Sequence, residues 1–202
     1  MKQDILGLRN VPKETIEKIL STAAEMKEKL MRGEKKLPYL AGKSVVTLFY
    51  ENSTRTRTSF ELASKYMSAA SANIAASASS VKKGETLIDT GRTLDAMGTD
   101  IIVIRHPMSG APHLLAQHVN AAVINAGDGI NEHPTQALLD LYSIWEEKGS
   151  FDNLHVGVVG DISHSRVCGS LIPALKIMGC EVTVIAPPTL LPARPDILGA
   201  DH

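Results

Sequence analysis

Residues 45–70 have the sequence VVTLFYENSTRTRTSFELASKYMSAA, and this stretch decides the expected fold. Its first six residues are aliphatic, β-branched or aromatic, which predicts a buried strand. Residues 51–57 are polar, and the spacing of apolar residues over 58–70 predicts a helix. A strand that runs through a polar loop into a helix is typical of a parallel sheet.

The same alternation continues on both sides of this stretch. Further strands are predicted at residues 73–76, 101–104 and 122–125. Further helices are predicted at residues 12–30, 85–97, 112–117 and 135–147. Alternating strands and helices predict an α/β fold, in which helices flank a parallel sheet.

A second unit is predicted after Lys148-Gly149-Ser150, which has the composition of a domain boundary. Strands at 155–159 and 181–186 flank a helix at 166–178, the start of a second Rossmann-like α/β domain. We therefore expect domains at 1–150 and 151–202. Because one βαβ unit cannot cover both faces of its sheet, we expect the second domain to be only partly contained in this sequence.

Composition narrows the classes of function. Hydrophobic residues make up 44% and charged residues 21% of the 202 residues, as in ordinary globular proteins. The net charge of −1 gives no general attraction to nucleic acid or to anionic membranes, so a bound anion needs locally gathered cations. The two cysteines are expected to be reduced core thiols. No segment resembles a signal peptide or membrane span, so a cytoplasmic protein is expected.

Polar residues follow five of the six predicted strands, at the sheet edge where open α/β folds bind ligands. These residues lie in the segments 51–57, 77–84, 105–107, 133–136 and 160–166. The segment from Ser53 to Arg57 places hydroxyls, backbone N–H groups and two guanidiniums at the start of a helix, which predicts an anion site. The alternative is that Ser53 or Thr54 only caps the helix while the arginines are solvated.

Other polar residues allow two interpretations each. Lys82 and Lys83 lie on a Ser-rich loop, which suits either a mobile element that brings charge to an anion or a solvated loop. His133 precedes Pro134 at a helix start, and Gln136 either serves a site or reaches back to cap the helix.

Motifs for cofactors and metals are absent from the sequence. Gly42-Lys43-Ser44 lacks the first glycine of a phosphate-binding loop and precedes a strand instead of following one. The glycines at 157 and 160 do not complete a dinucleotide fingerprint. The spacing of His113 and His118 does not place both on one helix face, so we expect neither a cofactor nor a metal ion.

Three segments resemble the aspartate and ornithine carbamoyltransferase family. Residues 49–61, FYENSTRTRTSFE, resemble its carbamoyl phosphate motif, HPTQALLD at 133–140 its second signature, and RHP at 105–107 its third. The resemblance covers residues 1–186. Two features favour an aspartate acceptor over ornithine: KKGET at 82–86, and GDISHSRV at 160–167, where ornithine enzymes typically have an asparagine pair. Cations such as Arg166 and Lys83 also suit a dicarboxylate.

The resemblance also implies roles for individual residues. Carbamoyl phosphate would be bound by Ser53, Thr54, Arg55, Thr56, Ser79, Lys83, Arg105, His133 and Gln136. The catalytic residues would be Arg55, Thr56, Arg105, His133 and Lys83. Aspartate would be bound by Lys83 and Arg166, and Arg57 would pair with Glu85.

The implied reaction transfers a carbamoyl group from carbamoyl phosphate to L-aspartate, in pyrimidine biosynthesis. The resemblance further implies a homotrimer whose sites are shared between subunits, with Ser79 and Lys83 donated by a neighbour, and regulatory chains as partners. Two alternatives stay open at this point. One is an ornithine carbamoyltransferase, and the other is a chain that binds carbamoyl phosphate or assembles without turnover.

Overall fold

The computed structural model describes residues 2–75, 84–194 and 198–201. The helices are α1 Lys13–Met31, α2 Thr54–Tyr66, α3 Leu87–Ala96, α4 Ala111–Ala116, α5 Pro134–Lys148 and α6 Arg166–Ile177. The strands are β1 Ser44–Phe49, β2 Ala70–Ala75, β3 Ile101–His106, β4 Ala122–Asp128, β5 His155–Val159 and β6 Glu181–Ile185. Short 3-10 helices lie at Pro38–Leu40 and Pro188–Leu190.

The predicted order of elements is found, with ends that differ by a few residues. The largest differences concern α2, which begins at Thr54 and not near residue 58, and β2, which begins at Ala70 and not at residue 73. Ser53 has extended backbone angles and is the residue at which the chain enters α2. The residues from Arg55 to Arg57 therefore lie in the first helical turn and not in a loop.

The chain forms two compact units. The first contains residues 1–6 and 26–128, and the second contains residues 7–25 and 129–202. Helix α5 belongs to the second unit because its buried Ala137 and Leu141 share a core with Ile172 and Leu175 of α6. Compactness alone does not define a domain, so the boundary expected after residue 150 stays a prediction.

The first unit has a four-stranded parallel sheet in the order β2-β1-β3-β4. On one face, Leu48 and Ile102 pack against Leu115 of α4 and other residues of α3 and α4. On the other face, Phe49 and Val103 pack with Phe60 of α2. Successive strand residues point to opposite faces, and near-continuous apolar runs therefore build two core layers. The predicted fold class is confirmed.

The second unit has a two-stranded parallel sheet made of β5 and β6. Val156, Val158 and Val182 pack into a core with apolar residues of α1, α5 and α6. On the opposite face, Val159 is 74% exposed and Ile185 is 52% exposed. Helices therefore cover one face of this sheet within the described residues, as expected for a single βαβ unit.

Candidate functional site

The start of α2 presents backbone N–H groups that the helix itself does not use. Ser53 has φ −153° and ψ 94° and stands at the N-cap position, but its side chain makes no capping hydrogen bond. The first hydrogen bond of the helix runs from the Arg57 N–H to the Ser53 carbonyl, at 3.1 Å. The backbone N–H groups of residues 54–56 therefore have no partner within the helix, and they point outward at the positive end of its dipole. The Ser53 hydroxyl does not have the purely capping role that was the alternative.

Arg105 lies directly beside this helix start. It stands near the carboxyl end of β3, and its Nη1 donates to the Ser53 Oγ at 3.3 Å. Its Nε donates to the Glu51 Oε2 at 2.9 Å, and the two side chains are only 16% and 27% exposed. These two contacts fix the plane of the guanidinium. Its second terminal nitrogen makes no hydrogen bond within the described residues, so N–H donors remain for a ligand.

The other predicted residues of this motif occupy the first turn of α2. Thr54 and Arg55 are exposed, and Thr56 is half-buried. The ion pair expected between Arg57 and Glu85 is not formed between the described residues of this chain, and as a contact between subunits it stays a prediction. Hydrogen bonds from Lys65 and Asn73 lower the pKa of Glu61, one helical turn after Arg57, and the charge of Arg57 acts in the same direction.

His106 supports the loop that follows Arg105. Its ring packs on Tyr50 with centroids 4.6 Å apart, and its Nδ1 accepts the Met108 N–H at 3.0 Å. Burial lowers the pKa of His106, which keeps the ring neutral. Further along the loop, the buried Asp128 accepts the Gly110 N–H at 2.6 Å. These contacts hold the RHP signature in place from both sides.

His133 lies in the second unit, where it is the N-cap residue of α5 and is 8% exposed. Its backbone N–H donates to the Ser170 Oγ at 3.0 Å. The Ser170 hydroxyl in turn donates to the buried Glu132 Oε2 at 2.9 Å, and the Leu8 N–H reaches the same oxygen at 2.8 Å. A buried carboxylate therefore organises the backbone around His133.

Gln136 lies in the first turn of α5, and its side chain points along the helix and not back to the N-cap. Its Nε2 donates to the Asp140 Oδ1 at 2.9 Å. Of the two interpretations, the capping Gln is therefore wrong for this side chain. Burial raises the pKa of Asp140, and the hydrogen bond from Gln136 opposes that shift.

Arg166 is the first residue of α6, after a loop that begins at the end of β5. The Ser165 side chain caps this helix by accepting the Cys168 N–H at 3.3 Å. In the same loop, His164 Nδ1 lies 3.0 Å from the Asp161 Oδ1. Ser79, Lys82 and Lys83 lie outside the described residues, so their predicted roles stay predictions.

Several residues that shape these surroundings were given no role by the sequence reasoning. They are Glu51, Glu132, Asp140 and Ser170. Glu51 lies two residues before Ser53 in the quoted motif, and Asp140 follows Gln136 by four residues on a predicted helix, which is a contact distance. No local signal points to Glu132 or Ser170, because their partners lie 37 or more residues away.

Two kinds of feature are not found among the described residues. No helix among the described residues is long and apolar enough to cross a bilayer. In the same part of the chain, no three His, Cys, Asp or Glu side chains converge to hold a metal ion.

Comparisons with known proteins give a consistent result. Residues 3–146 match the family described as "Aspartate/ornithine carbamoyltransferase, carbamoyl-P binding domain". The chain is 61% identical over 199 residues to the aspartate carbamoyltransferase catalytic subunit of Ruminiclostridium cellulolyticum, covering 98% of this chain and 64% of that protein. It is 64% identical over 197 residues to the corresponding subunit of Heliobacterium modesticaldum, covering 98% and 63%. The chain thus spans slightly less than two thirds of the length of these relatives.

Solved structures agree with the sequence relatives. Aspartate transcarbamoylase from Trypanosoma cruzi in complex with carbamoyl phosphate superposes with a TM-score of 0.90 at 34% identity, covering 98% of this chain and 65% of that one. The same enzyme in complex with N-(phosphonacetyl)-L-aspartic acid gives a TM-score of 0.91 at 35% identity, covering 98% and 62%. With its matching motifs, fold and family model, the chain belongs to the aspartate/ornithine carbamoyltransferase family.

Proposed function

We propose that this chain supplies the carbamoyl phosphate site of an aspartate carbamoyltransferase. The reaction would transfer the carbamoyl group to the α-amine of L-aspartate and yield N-carbamoyl-L-aspartate and phosphate, in pyrimidine biosynthesis. The observation that carries this proposal is the contact of Arg105 with Ser53 at the start of α2, in a chain whose residues 3–146 match the carbamoyl phosphate-binding family. The names of the relatives favour aspartate over ornithine as the acceptor.

Phosphate binding would rest mainly on the cations. A helix dipole contributes about 0.3–1 kcal/mol to an anion at its start. Each hydrogen bond to a charged group contributes about 1.5–3 kcal/mol. The guanidiniums of Arg55 and Arg105 should therefore dominate, while Ser53, Thr54 and the N–H groups of the first turn fix the position of the phosphoryl oxygens.

Carbamoyl transfer needs no covalent intermediate with the protein. The neutral amine of aspartate attacks the carbamoyl carbon, a C–N bond forms, and the C–O bond to phosphate breaks. The amine proton passes to the departing phosphate, which leaves as HPO₄²⁻. We assign Thr56, Arg105 and His133 to the carbamoyl oxygen, which becomes an oxyanion in the tetrahedral transition state. Removal of one such donor commonly lowers the rate about 10²–10³-fold. Gln136 would accept a hydrogen bond from the carbamoyl NH₂.

The acceptor and the partners follow from the same family assignment. Arg166 and Lys83 would bind the carboxylates of aspartate. Ser79 and Lys83 would come from a neighbouring subunit, which implies a homotrimer with shared sites, and regulatory chains could join that assembly. We propose a cytoplasmic location for the protein, and we assign it no cofactor.

Calorimetry and product analysis test this proposal on the chain. Phosphonoacetamide, a stable mimic of carbamoyl phosphate, should bind, and Arg55→Ala should weaken binding about tenfold or more, because it removes a charged donor. Arg92→Ala is the matched control, since it removes an exposed arginine from α3. Absence of binding by the unmodified chain would refute the proposal.

Turnover identifies the acceptor. The chain is incubated with carbamoyl phosphate and either L-aspartate or L-ornithine, and the ureido product is measured. Carbamoyl-aspartate supports the proposed reaction, and Arg55→Ala should lower its rate by orders of magnitude. Formation of citrulline would show that ornithine, and not aspartate, is the acceptor. Donor binding with no product from either acceptor would restrict the function of this chain to holding the donor.

A further inference from the structure

The contact between Gln136 and Asp140 has a chemical direction. A carboxylate can only accept hydrogen bonds, whereas a primary amide has one donor end and one acceptor end. The Gln136 Nε2 donates to the Asp140 Oδ1 at 2.9 Å, one helical turn along α5. One N–H of the amide is therefore engaged by Asp140, and within the described residues the carbonyl oxygen at the opposite end accepts no hydrogen bond.

The pair is better explained by orientation than by stability. Asp140 is partly buried, and its side chain makes no other hydrogen bond or ion pair in the described part of the chain. Desolvation disfavours its charge, and burial accordingly raises the pKa of Asp140. Asparagine would accept the same hydrogen bond without that penalty. It would also allow the two amides to reverse, because each could then donate or accept.

We propose that Asp140 is a positioning residue that holds the Gln136 carbonyl towards the ligand and thereby selects a donor that carries NH₂ over one that carries CH₃. Carbamoyl phosphate and acetyl phosphate differ in this one group. A Gln136 carbonyl that faces the ligand can therefore accept a hydrogen bond only from the carbamoyl compound. This inference rests on the proposed function, since it takes Gln136 as a contact of the carbamoyl group. It adds a residue that acts through Gln136 and touches no substrate.

Two stable phosphonates provide the test. Phosphonoacetamide has the amide NH₂, and acetonylphosphonate has a methyl group in its place. The dissociation constants of both are measured by calorimetry at pH 8, where the carboxyl is ionised. The quantity of interest is the ratio of the two affinities, because a change in local charge affects both phosphonates alike and cancels.

Two variants of Asp140 form a graded series, and a third variant on α5 is the control. Asp140→Asn allows either orientation of Gln136 and should lower the preference for phosphonoacetamide about threefold. Asp140→Lys offers only donors, so it should turn the Gln136 amide around and lower the preference about tenfold or more. Glu147→Gln removes an exposed carboxylate from the same helix and should leave the ratio unchanged. Far-UV circular dichroism checks folding, and if the lysine variant does not fold, the asparagine variant decides.

The outcomes separate this inference from the proposed function. A ratio that falls in the order Asp, Asn, Lys supports the role of Asp140. A ratio that stays constant across the series overturns it and leaves donor binding intact. Equal affinity of the unmodified chain for both phosphonates also overturns it, because Gln136 would then not recognise NH₂. If neither phosphonate binds, the proposed function fails and this inference fails with it.

Discussion

Replacing Glu132 with alanine should strongly destabilise the second unit. The carboxylate is 5% exposed, and its Oε2 accepts both the Leu8 N–H at 2.8 Å and the Ser170 hydroxyl at 2.9 Å. Alanine removes the acceptor, so both buried donors lose this hydrogen-bond partner. The Ser170 oxygen also receives the His133 N–H, so the perturbation reaches the backbone at the start of α5.

The two hydrogen bonds set the size of the effect. A hydrogen bond to a charged group contributes about 1.5–3 kcal/mol, so losing two predicts a decrease of about 3–6 kcal/mol in the free energy of unfolding. Glu132→Gln retains an uncharged oxygen that can accept both bonds, and should cost about 1–2 kcal/mol. For a chain of this size, each kcal/mol shifts Tm by about 2–4 °C. The glutamine variant should therefore melt about 2–8 °C lower.

Urea unfolding followed by circular dichroism measures these differences. Ser170→Ala completes a double-mutant cycle, and the coupling between positions 132 and 170 should be about 1 kcal/mol because they share a hydrogen bond. Glu147→Gln, an exposed change in α5, serves as the control. A stability of Glu132→Gln within about 0.5 kcal/mol of the unmodified chain, or strictly additive single changes, would refute the reasoning.

Three further changes probe the candidate site and its support. Arg105→Lys keeps the charge but loses the planar fork of donors, so the affinity for phosphonoacetamide in calorimetry should fall about tenfold, whereas Arg92→Lys should not change it. Because burial lowers the pKa of His106, the unfolded chain, with a histidine pKa of about 6.5, binds this proton more tightly than the folded chain does. The contribution of the neutral His106 to stability is therefore fully present above that pH and is lost as the pH falls below it. His106→Asn should flatten the dependence of the urea midpoint between pH 7.5 and 5.5, and an unchanged slope would contradict this. At Gly169 an added Cβ would overlap the Asn131 carbonyl, so Gly169→Ala should lower the stability by about 2 kcal/mol or more; a normal Tm would show that the close approach is relieved.

The order of strands and helices could be predicted because each element has a local signal. The strand at Ile101–His106 is rich in isoleucine and valine, and α5 has a proline at its first position. The sequence predicts the start of α2 four residues too late, because the first turn of this helix lacks such a signal. Its first turn consists of threonine and arginine, which carry no apolar periodicity, so a polar run that is helical in the structure was assigned to the loop.

The candidate site could be predicted only in part. Its cations and hydroxyls follow strands, and strand ends meet at one sheet edge, which explains why Ser53 and Arg105 are in contact across 52 residues of sequence. The carboxylates that bind and orient these groups cannot be predicted from strand ends. Glu51 binds Arg105 across 54 residues, and Glu132 binds Ser170 across 38, so these contacts depend on the tertiary fold and not on any local pattern.

The burial of the cysteines offers a direct reporter of local opening. The chain has only two, Cys168 and Cys180, both belong to the second unit, and they are 7% and 1% exposed. Burial also raises the pKa of Cys180, which reduces the fraction of reactive thiolate. An alkylating reagent should therefore modify either sulfur only after this unit has opened. Labelling kinetics would then report the opening of the second unit, and no cysteine has to be introduced by mutation.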